Sequence, residues 1–381
     1  MADRPNLSRR QLLILAGLGG LGLRTLAWAP RLQRPPDRAP SHGHLKRFVL
    51  HVRTSRADER KIIERRNRVR HRISRQAERV ELRLARTPNA GSYAKRTALR
   101  RYMHGHTKIG GSDIDMPFVL TARSGDRLEL EALLELFEGF VRGSYPRSKI
   151  VRTKSSIKLE FSSFKYSFDI VPMVAVSGDS RREYLFRADG TKVPTSVSAH
   201  VRFCRRRTAA SAKSPGIVRF NDMVRLFKWW SQMQALGDEL LAEVPSIVLE
   251  LLCAKAFDER GVESSYTSTL RAWFELIAGI VAERREVRFD EQRGAGESWA
   301  VIDPVSATNN VVPSRWTDAH IDRLAGWLRA AAITMKRVEA CDRNDDGKGA
   351  LRELEGLFGP VVGRLDLLDL DPSKVPLAQS C

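Results

Sequence analysis

Two aspartates separated by one residue open the apolar run 116–120, and no other local pattern restricts the fold of this chain as strongly. Residues 112–120 read SDIDMPFVL. A polar pair followed by a short apolar run suits the head of a buried β-strand. Side chains alternate along a strand, so Asp113 and Asp115 point to one face and Ile114 to the other. Two carboxylates on one face repel each other unless a cation lies between them, so the spacing implies a divalent metal site.

The neighbouring sequence supplies further members. Residues 128–141 are strongly helix-forming, with Leu130, Leu133, Leu134, Phe137 and Val141 on one side. Residues 156–161 and 166–176 read as two strands around a short turn at 162–165. The second contains Asp169 within SFDIVPMVAV. An acid flanked by Phe168, Ile170 and Val171 is costly to bury alone, so Asp169 is expected to face a cation or an open cleft as a third carboxylate. About twenty residues before the pair stands Gly91-Ser92. A Gly there permits close backbone approach, and a Ser offers its hydroxyl and amide to a phosphate oxygen. The G-x-x-x-x-G-K-[ST] pattern of a P-loop is missing from the sequence.

A chain of 381 residues has room for two domains. Its charge is distributed unevenly: residues 1–110 hold 27 Lys and Arg against 7 Asp and Glu, and residues 111–381 hold 38 against 38. The whole net charge of +20 therefore sits in the N-terminal third, and an argument for a nucleic-acid partner rests on that arm. Cys204, Cys253, Cys341 and Cys381 are scattered, without a C-x-x-C pair or a His at finger-like spacing, which argues against a disulfide framework and a structural zinc and suits a reducing cytosol. His104 and His106 form an H-x-H read as a flexible, solvated loop pair.

The N-terminus carries Ser8-Arg9-Arg10, an apolar stretch 12–23 and Ala27-Trp28-Ala29, which resembles a twin-arginine export signal. That stretch is too short to cross a bilayer. The chemistry expected below needs nucleoside triphosphates, so a cytoplasmic location and an N-terminal extension are expected instead. Residues 30–55 hold Pro30, Pro35, Pro36 and Pro40 and read as a mobile linker. Ile62, Val69, Ile73, Ala77, Val80 and Leu84 then mark the apolar stripe of a long helix whose other faces are almost all Arg. Those arginines suit either a solvated face or a track for phosphates, though aromatic interleaving for single-strand stacking is missing.

GSYAKRTALR, SDID and FDIVP, in this order, resemble the nucleotidyltransferases of the polymerase-beta superfamily. The nearest flavour is the cGAS/DncV-like CD-NTases, relatives of the oligoadenylate synthetases. Downstream, FNDMVRLFKWW resembles the family's helix that brings a Lys to the triphosphate, here Lys228. VPSIVLELL resembles its Ser-containing helix start, here Ser246, and VIDPVSATNNVV its Asp-Pro loop. The resemblance runs from about Arg56 to Gly363. It implies an α+β, two-lobed enzyme: a catalytic lobe with a mixed or antiparallel sheet, a long N-terminal spine helix and a helical C-terminal lobe. The implied division is an extension at 1–55, the catalytic lobe at 56–200 and the helical lobe at 201–381.

The same resemblance implies two Mg²⁺ ions, replaceable by Mn²⁺, on Asp113, Asp115 and Asp169, with Asp169 nearest the attacking hydroxyl. Gly91, Ser92, Lys228 and Ser246 would hold the donor nucleotide. Lys95-Arg96 stands where the relatives often have Arg-Gly, and Ile247 follows Ser246 where they place a stacking Tyr. Base stacking falls to Tyr93 or Trp230, between which the sequence does not choose, although for Trp229 and Trp230 ordinary core is the favoured reading. The implied function is condensation of NTPs into a cyclic or linear oligonucleotide second messenger in bacterial antiviral defence. A nucleic-acid activator and a downstream effector would be its partners. The alternatives are an RNA or tRNA 3′-end nucleotidyltransferase and a catalytically silent nucleic-acid-binding protein. Residues 342–353 fit the EF-hand expression, but Gly349 occupies the hydrophobic eighth position and no second loop exists, so calcium binding is not expected.

Overall fold

The computed structural model describes residues 35–111, 113–125, 128–186, 191–290 and 299–365. The twin-arginine-like segment lies outside the described residues. In chain order the elements begin with α1 (Pro40–Val52), α2 (Arg56–Arg79), β1 (Leu84–Arg86), α3 (Gly91–Lys95), β2 (Tyr102–His104), β3 (Thr107–Ile109) and β4 (Ile114–Leu120). There follow α4 (Ala122–Gly125), α5 (Leu130–Ser144), β5 (Lys149–Arg152), β6 (Ile157–Glu160), β7 (Phe168–Val176), β8 (Asp179–Phe186) and β9 (Lys192–Thr195). The remainder is helical apart from one hairpin: α6 (Val197–Ser211), α7 (Phe220–Gln234), α8 (Glu239–Ala242), α9 (Ser246–Arg260), α10 (Tyr266–Ala282), β10 (Ile302–Asp303), β11 (Ser306–Asn310), α11 (Asp318–Arg343), α12 (Gly347–Phe358) and α13 (Val361–Arg364).

The sheet is mixed, as expected. Its order is β1-β4-β7-β6-β5, with β8 pairing β7 and β9 pairing β8. The β4–β7 pair is parallel and the others are antiparallel. One face of this sheet is covered by α2 and α5, which place Ile62, Val69, Ile73, Ala77, Leu133, Leu134 and Phe137 against Phe118, Ile157, Leu159 and Phe168. The second large apolar cluster is built on α1, α7, α9, α10, α11 and α12, with Trp229, Trp230 and Trp273 fully buried in it. Two cores thus underlie an α+β, two-lobed molecule.

The apolar stripe of α2 is as the spacing implied over Ile62, Val69, Ile73 and Ala77. The helix stops at Arg79, however, and Val80 is 55 % exposed while Leu84 opens β1. Ser55 starts the helix, accepting from the Asp58 amide in an N-cap. The linker expected over residues 30–55 is a helix from Pro40 onward. Pro40 sits in its first turn, where a missing amide costs nothing, and Leu45, Phe48, Val49 and Val52 pack fully into the helical lobe's core. Proline content suggested extension, and the buried stripe decided the outcome. The loop carrying His104 and His106 is in fact the β2–β3 hairpin, in which His104 pairs with Thr107. The EF-hand-like segment is a tight turn between α11 and α12: Asp342 accepts from Ser41 and Asp346 caps α12, so neither is presented to an ion.

Candidate active site

Asp115 and Asp169 are direct neighbours across β4 and β7, because the parallel register pairs Ile114 with Phe168 and Asp115 with Asp169. Ile114, Met116, Phe168 and Ile170 turn into the core, which leaves both carboxylates on the opposite face. Asp113, two residues ahead of Asp115, joins that face. Strand pairing alone thus sets Asp115 beside Asp169, and Asp113 lies just ahead of β4 on the same side.

Gly91 sits directly over the pair. Its φ is +66°, and a Cβ built on it would lie 1.7 Å from Asp115 Oδ2. Only Gly allows both the left-handed backbone and this approach. Ser92 follows in α3 with its Oγ buried and without a hydrogen-bond partner, a hydroxyl free to meet a phosphate oxygen.

Electrostatics differ among the acids. Burial pushes the Asp169 carboxyl up, and the Asp113 charge adds to this, so that it titrates at about 7. Asp169 Oδ1 is buried without a hydrogen-bond partner. Asp115 is also raised, first by burial, with Lys95 opposing and Asp113 assisting. Asp113 moves the other way: burial alone would raise it, but Lys158 and Ser167 hold it below the usual carboxylate range. Lys158 Nζ lies 2.5 Å from Asp113 Oδ2, and Ser167 Oγ donates to Oδ1.

The donor set suits a hard divalent cation. It offers carboxylate oxygens only, one of them is orphaned, and burial assisted by the Asp113 charge raises two of the three pKa values. Among the described residues no three His, Cys, Asp or Glu side chains stand together as a metal-holding set. Asp113 has each oxygen engaged, one by Lys158 and the other by Ser167. Lys158 was missed by the motif reading. The alternation of IKLE was the available signal, since Ile157 and Leu159 are fully buried and Lys158 must face the acids' side.

The helical-lobe residues are placed differently from expectation. Lys228 on α7 is buried, with Nζ 3.3 Å from both Glu250 Oε2 and Thr97 Oγ1. Lys95 Nζ lies 2.5 Å from Glu250 Oε1, and Cys204 Sγ is 3.3 Å from the same oxygen. Lys228 thus joins an ion cluster that clamps the segment after α3 to α7 and α9, and it does not project freely toward Ser92. Burial would raise Glu250, but Lys95 and Lys228 together hold it down at about 2. Ser246 is the exposed first residue of α9, one turn ahead of Glu250.

The same segment is gripped by Arg205 on the Ala94 carbonyl, Asn221 on the Arg96 carbonyl and Arg225 on the Ala98 carbonyl. Arg96, standing where the relatives often have Gly, adopts φ +61° and ψ +36°, the left-handed region that favours Gly. Trp230 is fully buried against Phe227 and Phe274, as the core reading expected, so it is not available to stack on a base. Tyr93 packs edge-on against Tyr166 beside the sheet core. The Asp-Pro loop is a structural turn: Asp303 accepts from the Val305 amide and Asn309, and pairs with His200 at 3.2 Å.

Residues 41–191 match the model of the Second Messenger Oligonucleotide or Dinucleotide Synthetase domain. No curated protein sequence matches the chain. Among solved structures, the Escherichia coli MS115-1 CdnC of a CdnC:HORMA-deltaN complex superposes with a TM-score of 0.68 at 23 % identity, covering 84 % of this chain and 97 % of that one. Bradyrhizobium diazoefficiens CD-NTase CdnG, solved with GTP, gives 0.66 at 19 % identity over 87 % and 99 %. Vibrio cholerae DncV cyclic AMP-GMP synthase, with a nonhydrolyzable GTP, gives 0.54 at 15 % identity over 74 % and 70 %. Residues 41–191 of this chain are therefore a Second Messenger Oligonucleotide or Dinucleotide Synthetase domain, a nucleotidyltransferase domain, in a chain with the CD-NTase fold.

Proposed function

We propose that this enzyme is metal-dependent and condenses nucleoside triphosphates into a cyclic or linear oligonucleotide second messenger, releasing pyrophosphate, and that its signal serves antiviral defence. The observation that carries the reading is the row of Asp115 and Asp169 in register, with Asp113 beside them and the Gly91 backbone pressed against Asp115. Asp113, Asp115 and Asp169 would hold two Mg²⁺ ions, or Mn²⁺ in their place, which when bound supply activation of the attacking hydroxyl and neutralisation of the leaving group. In the transfer itself a 3′ or 2′ hydroxyl oxygen bonds to the donor's α-phosphorus, the bond from that phosphorus to the bridging oxygen breaks, and pyrophosphate leaves.

The chain's own groups divide the remaining work. Asp169, whose Oδ1 is buried and unpartnered, is the acid we assign to lie nearest the attacking hydroxyl and accept its proton. Ser92 Oγ and the Gly91–Ser92 backbone face the donor phosphates. Lys228 and Ser246 contribute from the helical lobe. Lys228 meets the triphosphate directly only after turning from Glu250, and otherwise acts by fixing Lys95 and the segment after α3.

A second reading, transfer to an RNA 3′ end with the α2 arginines as a phosphate track, is favoured by one observation: Arg60, Arg68, Arg75 and Arg79 lie exposed along that helix. Two of its other arginines are engaged locally, Arg65 over Phe161 and Phe164 and Arg72 over Tyr145. The same track is the proposed contact for a nucleic-acid activator. The HORMA protein bound to the E. coli CdnC makes a protein partner the alternative. Among the described residues no helix is long and apolar enough to cross a membrane, and the triphosphate substrates argue for action in the cytoplasm. Incubation with labelled NTPs and Mg²⁺, with and without RNA, separates the readings. Soluble oligonucleotide supports the first, labelled RNA the second, and no product in either arm a silent binding protein.

A further inference from the structure

Lys158 is the cation on the acid face that no motif assigns. It pairs in register with Asp169, which pairs with Asp115, so the three lie in one row across β6, β7 and β4. From that row its ammonium reaches 2.5 Å to Asp113 Oδ2, the outer acid, with 27 % of each side chain still exposed. Ser167 occupies the other Asp113 oxygen. Asp113 thus has one partner on each oxygen, Asp169 Oδ1 is left unpartnered, and no three carboxylates form a metal-holding group among the described residues.

We infer that Lys158 is a resident counter-cation that holds the place of a divalent metal at Asp113, so that metal loads by displacing it and does so readily only together with a nucleotide. The inference rests on reading the three acids as the metal-binding centre. An ammonium on a four-carbon stem suits the task, because it is a compact point charge on rotatable bonds and makes no planar, bidentate lock. It relieves carboxylate repulsion while the site is unloaded. A metal arriving alone must break the Lys158–Asp113 bond and leaves the ammonium only Asp169 and Glu160, with which it makes no contact now. A metal arriving with a triphosphate brings phosphate oxygens to which the displaced ammonium can turn. Metal and nucleotide then raise each other's affinity by the same factor, as linkage requires.

Mn²⁺ binding to the full chain, followed by electron paramagnetic resonance, tests this without any turnover. In nucleotide-free buffer, Lys158→Met is expected to bind Mn²⁺ at least about tenfold tighter than the parent, since one charge-assisted bond no longer competes. Lys158→Arg, which keeps the charge, is expected to bind no tighter than the parent. A nonhydrolysable NTP is expected to tighten Mn²⁺ binding more in the parent than in Lys158→Met. Lys158→Gln is read in the same way if the Met variant does not fold. A neutral variant that binds Mn²⁺ no tighter than the parent overturns the inference. If Asp113→Asn then still abolishes Mn²⁺ binding in the presence of the NTP analogue, the metal-centre reading stands. If Asp113→Asn leaves that binding unchanged, the metal-centre reading falls with it.

Discussion

The acid face of β4 and β7 and the Glu250 cluster are both ionic, lie on either side of α3, and share Lys95 as a charge felt by each. They are built on opposite principles. At Glu250 one carboxylate receives two lysines, a hydroxyl and a thiol, and it is held down at about 2. At the strand ends only Asp113 has an ammonium in contact, that of Lys158, while Asp169 is pushed up to about 7 and its Oδ1 has no partner. A satisfied cluster holds pieces of the molecule together, whereas an unsatisfied one stores repulsion that a ligand can relieve. The difference supports the proposal that the acid face is the working site and the Glu250 cluster its support.

Breaking each cluster should therefore have opposite signatures. The largest effect is expected from Asp113→Ala with Asp115→Ala. Product formation should fall by about 10³-fold or more, because the transition-state charge loses its counter-ions. The melting temperature in metal-free buffer should change little, because losing the destabilised Asp115 charge offsets the loss of the Lys158–Asp113 pair. Glu250→Ala should do the reverse, destabilising the protein by about 3 kcal/mol, because two buried lysines lose their shared partner. Chemical denaturation of the two variants side by side checks both statements.

Acid pH sharpens the same contrast. Asp169 has a raised pKa, so its burial costs nothing below the ordinary carboxylate range, and it costs progressively more stability as pH rises from about 4 to about 7. Glu250 has a depressed pKa, so its contribution is present above the ordinary Glu value and is lost as pH falls toward about 2. In metal-free buffer Asp169→Asn should flatten the decline between pH 4 and 7 and leave the acid limb untouched. Melting curves across pH measure this directly.

The smallest effect concerns the connection between the clusters. Arg96 holds a left-handed backbone for which an L side chain is disfavoured by about 1–2 kcal/mol. Arg96→Gly should raise stability by up to about 1 kcal/mol, part of the gain being offset by the greater freedom of Gly in the unfolded chain. A fall in stability would mean that the Arg96 side chain does more than its backbone strain costs.

What was legible in the sequence follows from range. Asp113 and Asp115 stand two apart at the head of one strand, so their common face could be read from local alternation, whereas Asp169 was legible only as an acid among apolar neighbours and its register with Asp115 was not. The α2 stripe was legible for the same reason, up to the point where Val80 leaves the helix. The partnerships of Lys228, Lys95 and Thr97 with Glu250 were not legible, because they join positions 22 to 155 residues apart and depend on how the lobes meet. Helix α1 was hidden behind prolines that sit at and before its first turn, where they favour the helix. Lys158 lay between the two kinds: its face was readable from Ile157 and Leu159, its partner Asp113 was not.

Asp169→Asn tests the central claim most directly, with product yield from labelled NTPs and Mg²⁺ measured beside the melting temperature in metal-free buffer. The account predicts that product is lost while the melting temperature is unchanged or higher, since the substitution removes a repelled charge. Retained product, or a melting temperature lowered by several degrees, would contradict it.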